Sequence, residues 1–241
     1  VTVLTGKPNY GFDHILPEYK NVKSEIINGV KVHRVKIHER GNSALSLSLN
    51  YLSFNINGKK YAKRLKEKFD VVLAISLSPV ISISPAIEYA RKNKVPCVLY
   101  CEDIWPESVV SVGAVKKNSL AYKLLFKWSK SIYSKLDKII VSSPSFKDYF
   151  ENTLGVKNKG FSFVPQPIME ANNFVTPTEF KHKHNLIYAG NIGAIQMVDS
   201  LVKAMKFVDN DTVLHLLGSG SELQNILDLL FYIFCLNHQV Y

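Results

Sequence analysis

Three cysteines in 241 residues are too few for a disulfide framework. Cys97 and Cys101 stand four apart at the end of an apolar run, Cys235 lies far downstream, and none has a His or Cys partner at zinc-ligand spacing. Small buried side chains are the expected use of all three. His33, His38, His182, His184 and His215 share no spacing either, so no metal site is expected. No Gly-x-Gly-x-x-Gly follows a strand, which removes the dinucleotide fingerprint. The apolar stretch 226–236 is 11 residues long, too short to span a bilayer. Internal repeats and low-complexity tracts are lacking. So is any dense Arg-rich tract: Lys and Arg are spread over helices and loops, which argues against a nucleic-acid partner despite a net charge of +10.

What remains is ordinary for a globular chain, 46% hydrophobic and 21% charged, with room for a sizeable core. The basic balance calls for an acidic partner, either phosphorylated small molecules or an anionic membrane surface. Periodicity predicts strands over 1–5, 30–37, 71–75, 96–100, 138–141 and 161–164. Between them it predicts helices over 45–69, 84–93, 120–136 and 142–150. Asn28-Gly29 is a turn signal. Strands alternating with helices imply parallel βαβ units. Residues 168–184 change character, with Asn172-Asn173, Pro177 and Lys181-His-Lys-His184, and are expected to be a linker. A second α/β segment follows, with strands over 185–188 and 213–217 and a helix over 197–207. The expected organisation is an N-terminal domain 1–167, the linker, and a C-terminal segment 185–241. Val1-Thr-Val-Leu4 looks like the end of a strand, and the aromatic tail stops at Tyr241 without a cap; the chain is expected to be clipped at both ends.

Two junctions carry the chemistry. At Cys97-Val-Leu-Tyr-Cys-Glu-Asp-Ile-Trp-Pro-Glu-Ser-Val109 an apolar strand ends in acid, indole and proline, and ligands in open α/β sheets bind beyond the carboxyl ends of strands. Asp103 at that spot is a candidate functional carboxylate; its structural alternative is to N-cap the turn at Trp105-Pro106. Glu102 and Glu107 are weaker candidates. Trp105 is a candidate for ligand contact, or for packing. The second junction, Ile187-Tyr-Ala-Gly-Asn-Ile-Gly193, is again a strand running into glycines, with Gly218-Ser-Gly220 repeating the pattern further on. Either glycine motif alone is a weak signal, compatible with tight turns.

Taken in order, Val3-Leu-Thr-Gly-Lys-Pro-Asn-Tyr10, Gly29-Val-Lys-Val-His-Arg34, Tyr51-Leu-Ser-Phe54, Asp103-Ile-Trp-Pro-Glu-Ser108, Asp137-Lys-Ile-Ile-Val-Ser-Ser143, Gly190-Asn-Ile-Gly193 and Gly218-Ser-Gly220 resemble glycosyltransferase family 4. The closest likeness is to the WbuB-like subgroup that builds O-antigen and capsule units. The resemblance implies an α/β fold of two Rossmann-like lobes (GT-B), here with an acceptor lobe nearly complete and a donor lobe only in part. It also implies retaining transfer of a sugar from a nucleotide-diphosphate donor, UDP-linked, to a lipid-linked saccharide, without a metal or other cofactor. The place of action would be the cytoplasm or the inner face of the cytoplasmic membrane.

Carried over residue by residue, Asp103 is the catalytic candidate. Lys7, Asn9, Trp105 and Glu107 would face the acceptor, and Gly190, Asn191, Gly193, Gln196, Gly218 and Gly220 the donor. The stretch Asn191-Ile-Gly-Ala-Ile-Gln196 departs from the family in having no charge. The family's first strand and its Glu-x7-Glu donor grip are not matched, so little or no transferase activity is expected of this chain alone. An inactive pseudogene product or an acceptor-lobe binding module, and a UDP-sugar epimerase of related two-lobed fold, are the alternatives. In the helix over 120–136, Leu120, Leu124, Trp128, Ile132 and Leu136 are expected to pack on the sheet, leaving lysines to face water or an anionic membrane.

Overall fold

Short β-rich runs alternate with amphipathic segments, and the structure follows that order. The computed structural model describes residues 1–9, 12–41, 43–76, 78–157, 160–167 and 184–237. The chain divides into two compact units, Val1–Pro167 and Ile168–Tyr241. The expected linker lies outside the described residues, apart from His184, which opens a strand.

In the first unit β1 (Thr2–Gly6) runs parallel to β3 (Val30–Val35), and β2 (Ser24–Ile27) pairs antiparallel with β3. Asn28 and Gly29 both take positive φ, 49° and 78°, the two-residue hairpin turn that matches strand twist. The turn was legible in the sequence, whereas β2 was not, because Ser24-Glu-Ile-Ile27 is too short and mixed to show a period. Helix α1 (Ala44–Arg64) starts at Ser43, whose side chain accepts the Ser46 N–H at 3.1 Å. It packs on α2 (Ser84–Asn93) at Gly58, where a Cβ would come within 2.6 Å of Pro85 Cγ.

The second sheet is all parallel, in the order β4 (Val72–Ser76), β5 (Cys97–Cys101), β6 (Lys138–Val141) and β7 (Gly160–Phe163). The helices between these strands are α2, the short α3 (Glu107–Ser111), α4 (Leu120–Tyr133) and α5 (Ser145–Asp148), the last continuing as a π-turn through Thr153. Leu99, Ile139 and Val141 form the floor of the core, and Tyr133, Leu136, Phe150 and Leu154 cover it. The Tyr133 and Phe150 rings meet edge-on at 4.9 Å.

The expected packing stripe of α4 is half overturned. Ile132 and Leu136 are buried, but Leu120, Leu124 and Trp128 lie on the outside, at 75%, 61% and 39% exposure. The helix instead turns Tyr122, Ser129 and Tyr133 inward. Ser129 can be buried because its hydroxyl donates to the Leu125 carbonyl at 2.6 Å, and the two tyrosines find polar partners at the strand ends.

Among the described residues, β1 has no ladder partner on the side away from β3, and β4 none on the side away from β5. Leu73 and Ile75 of β4 remain exposed.

In the second unit β8 (His184–Ala189) runs parallel to β9 (Thr212–Leu217) over six residue pairs. Helices α6 (Val198–Ala204) and α7 (Leu223–Asn237) accompany them. Ile192, Val198, Val202 and Ile226 make a small core. The helix expected over 197–207 is shorter, because Met197 takes a left-handed conformation and Met205–Phe207 tightens to a 3-10 turn. The α/β class read from the sequence holds throughout the described residues.

Candidate functional site

Parallel strands deliver their next residues at one end of the sheet, and β5 delivers Glu102 and Asp103. The entry is pinned by backbone: Glu102 N–H donates to the Ser76 carbonyl at 3.1 Å, and Ser142 N–H to the Cys101 carbonyl at 3.2 Å. The Cys101 thiol donates to the Asp103 carbonyl at 3.2 Å. Burial pushes that thiol up to about 12 and Cys97 up to about 11, so both stay protonated and unreactive.

The Asp103 carboxylate is partly buried and has no hydrogen-bond partner among the described residues. It caps nothing: the residue before α3 is Pro106, and no side chain caps that helix. Desolvation holds its carboxyl above the usual carboxylate range. A half-desolvated acid left without a donor costs stability, so the fold keeps it at a disadvantage to itself.

The neighbours of Asp103 are held by three tyrosines: Tyr122 and Tyr149, which the sequence does not mark, and Tyr133, which its place on the lysine-rich helix suggests for a membrane interface but which is fully buried. Trp105 N–H donates to the Tyr133 hydroxyl at 3.3 Å. Glu107 Oε1 accepts from Tyr122 at 2.6 Å and from Tyr149 at 3.0 Å, while its Oε2 lies 3.8 Å from Lys117 Nζ. Burial, followed by the bond to Glu107, pushes the Tyr122 phenol up to about 12. Tyr133 and Tyr149 are also driven upward, by burial first, so all three keep their phenolic proton at any physiological pH. The only trace of this clamp in the sequence is tyrosine among apolar neighbours, which spacing cannot tell from packing. Either single Tyr→Phe change at Glu107 is expected to cost about 1 kcal/mol. The double Tyr122→Phe/Tyr149→Phe should cost more than the two singles together, since the second loss strips the carboxylate of its last phenol. A urea-melt double-mutant cycle measures this, and strict additivity would mean that the shared acceptor carries nothing.

The other acceptor-side candidates are placed as follows. Trp105 is 6% exposed, its ring edge-on to Trp128 at 5.6 Å, so its visible work is packing. Lys7 donates to the Lys20 carbonyl and is tied to that loop. Asn9, just past the end of β1, is buried, and its Nδ2 has no acceptor among the described residues. A buried amide without a partner is costly, and this one sits in the segment after a strand's carboxyl end, where the sequence predicts ligand contact. A concavity of about 600 Å³ lies elsewhere; Arg91, Lys94, Cys97 and Asp137 line it at the amino end of β5. It lies at the wrong end of the strand for Asp103.

In the second unit the two glycine junctions come together. Gly190 N–H donates to the Leu217 carbonyl at 2.9 Å, Ile192 N–H to the Ser219 carbonyl at 2.8 Å, and Glu222 N–H to the Ile192 carbonyl at 3.0 Å. Gly218, at φ 159°, and Gly220 lie so close to the first loop that a Cβ would come within 1.8 Å of Gly190 O and 2.2 Å of Ile192 O. Asn191 donates to Gln196 at 3.2 Å across Gly193, and Tyr188 donates to the Asn191 carbonyl at 2.6 Å. No group of three or more His, Cys, Asp or Glu able to hold a metal occurs among the described residues. No described helix is long and apolar enough to cross a membrane.

An unpartnered carboxylate at the carboxyl end of a parallel sheet in one α/β unit, and paired glycine turns after the strands of the other, put both candidate sites at strand ends. Residues 3–169 match the model of Glycosyltransferase Family 4, and the chain belongs to that family. Among individual proteins, the probable glycosyltransferase WbjE of Pseudomonas aeruginosa is 26% identical over 168 residues, which cover 65% of this chain and 41% of that protein. The chain thus spans well under half the length of that curated relative.

Proposed function

We propose that this protein takes part in transfer of a sugar from a nucleotide-diphosphate donor, UDP-linked, to a lipid-linked saccharide in the building of a surface polysaccharide, with retention at the anomeric carbon. The observation that carries the reading is Asp103: a partly desolvated carboxylate at the carboxyl end of β5, with no protein partner among the described residues and no capping duty. In the reaction the bond from the anomeric carbon to the donor phosphate breaks and a bond to an acceptor hydroxyl forms. The hydroxyl's proton passes to the leaving phosphate, so no protein nucleophile is consumed. Asp103 orients that hydroxyl and faces the positive charge that develops on the sugar. Asn9 offers its unused amide to the acceptor, and the Tyr122–Tyr149–Glu107 clamp holds the loop that carries Asp103.

On the donor side, Gly190 and Gly193 let backbone approach a diphosphate, with Asn191 and Gln196 as neutral donors, and Gly218 and Gly220 keep the two turns together. No metal is needed for these steps. The family assignment and the name of the Pseudomonas relative support sugar transfer in general terms; the donor, acceptor, stereochemistry and membrane location belong to the proposal.

The test follows label from UDP-sugars into a short-chain lipid-diphosphate saccharide, with binding of that acceptor measured in parallel. Little transfer is expected of this chain alone, and whatever transfer it shows Asp103→Asn is expected to lower by at least about 100-fold while the fold is kept. Equal transfer by both forms would overturn the role of Asp103. Acceptor binding without transfer from any donor would replace catalysis by a binding module, and interconversion of a UDP-sugar without acceptor would make the protein an epimerase.

A further inference from the structure

We propose that the outer face of α4 docks on an anionic phospholipid surface, lying along it rather than crossing it. Leu120, Leu124 and Trp128, spaced by four, form one exposed row on this helix. Lys123, Lys127 and Lys130 form the adjacent row, and the opposite side is committed to the core through Tyr122, Ser129, Ile132 and Tyr133. Core packing therefore does not account for the outer leucines. Between Glu107 and Asp137 the chain has six lysines and no acidic residue. Among the described residues neither Lys123 nor Lys127 has a carboxylate partner. An apolar row beside an unpaired cationic row, with Trp at the boundary, matches a bilayer interface in both of its parts: acyl chains for the leucines, phosphate headgroups for the lysines. At 14 residues α4 is too short to span a bilayer.

The docked face is joined to the candidate site. Trp128 stands edge-on to Trp105 at 5.6 Å, and Trp105 N–H is held by Tyr133 of the same helix. A helix resting on lipid would therefore hold the Asp103 loop next to headgroups, where a lipid-borne acceptor presents its saccharide. That link rests on the transfer reading; the docking itself does not.

Vesicle co-sedimentation of the full chain tests it, using phosphatidylcholine vesicles with and without phosphatidylglycerol. Binding is expected only with phosphatidylglycerol and should fade with salt. In a Trp105→Phe variant the remaining Trp128 emission should shift to the blue on binding. Leu120→Gln/Leu124→Gln, which keeps strong helix formers on the exposed face, should lower the partition coefficient about tenfold or more. Lys123→Gln/Lys127→Gln should lower it about tenfold on anionic vesicles. Unchanged binding in both variants overturns the proposal, as does equal binding to neutral vesicles. If the leucine changes instead turn a dimer into a monomer without lipid, the face is a contact between copies and the proposal fails. Since no donor or acceptor is present in this assay, its outcome is independent of transfer: failure of the transfer reading would leave the docking standing, and failure of docking would leave the transfer reading standing.

Discussion

Asp103→Asn is expected to melt at a higher temperature than the wild-type protein at neutral pH, in the same variant that loses transfer. Desolvation raises the carboxyl of Asp103 above its ordinary value of 3.8, so the folded state holds the proton more tightly than the unfolded state. The stability this gives is fully present below the unfolded value, is lost as pH rises through the folded value, and stays lost at neutral pH. Asn carries no charge to desolvate. The gap between variant and wild type should therefore be widest at neutral pH and close as the solution is acidified past the ordinary range of Asp. On the activity side, an ionised Asp103 is required, so transfer should fall off on the acid side at a higher pH than an unperturbed Asp would give. Melting curves across pH decide the matter. A variant less stable than wild type at neutral pH would mean that the carboxylate holds the fold, and the functional assignment would go with it.

The second large effect is expected at the paired glycine turns. Gly218→Ala would place a methyl group 1.8 Å from Gly190 O, and Gly220→Ala one 2.2 Å from Ile192 O. Both obstacles are backbone, held by the Gly190–Leu217 and Ile192–Ser219 hydrogen bonds, and cannot step aside as a side chain would. A cost on the order of 3 kcal/mol is expected for each, enough to open a unit whose buried core is Ile192, Val198, Val202 and Ile226. Hydrogen exchange should show β8 and β9 losing protection while β5 and β6 keep theirs. Gly29→Ala is the control: its φ of 78° is unfavourable to alanine, but nothing lies within 4 Å, so about 1 kcal/mol is expected. If Gly218→Ala behaves like Gly29→Ala, the two turns are not in contact in solution.

The parallel character of β4 to β7 was legible because strands alternate with amphipathic segments, and Ser84-Pro85 marked the start of α2. Asp103 was legible for the same reason, since the carboxyl end of a buried strand is a place that topology singles out. The rotation of α4 was not. A spacing of four gives Leu120, Leu124 and Trp128 the look of a core stripe, and only the polar partners of Tyr122 and Tyr133 decide which side turns inward. The fate of Glu107 was hidden likewise, because its two phenols come from positions 15 and 42 residues away. Asn9 was named as a contact residue through the family resemblance and its place after a strand; that its amide has no partner among the described residues is a feature of three-dimensional packing that no motif encodes.

The bare ladder of β4 sets a practical ceiling on this protein. On its side away from β5 the backbone of β4 has no ladder partner among the described residues, with Leu73 and Ile75 exposed beside it, and an open strand of that kind is a template for any other extended chain. Encounters between copies scale with the square of concentration, so a dilute stock should stay clear for days and the same stock should cloud on ultrafiltration. Leu73→Lys, which puts a charge where a neighbouring strand would have to settle, is the change that should extend its life on the shelf.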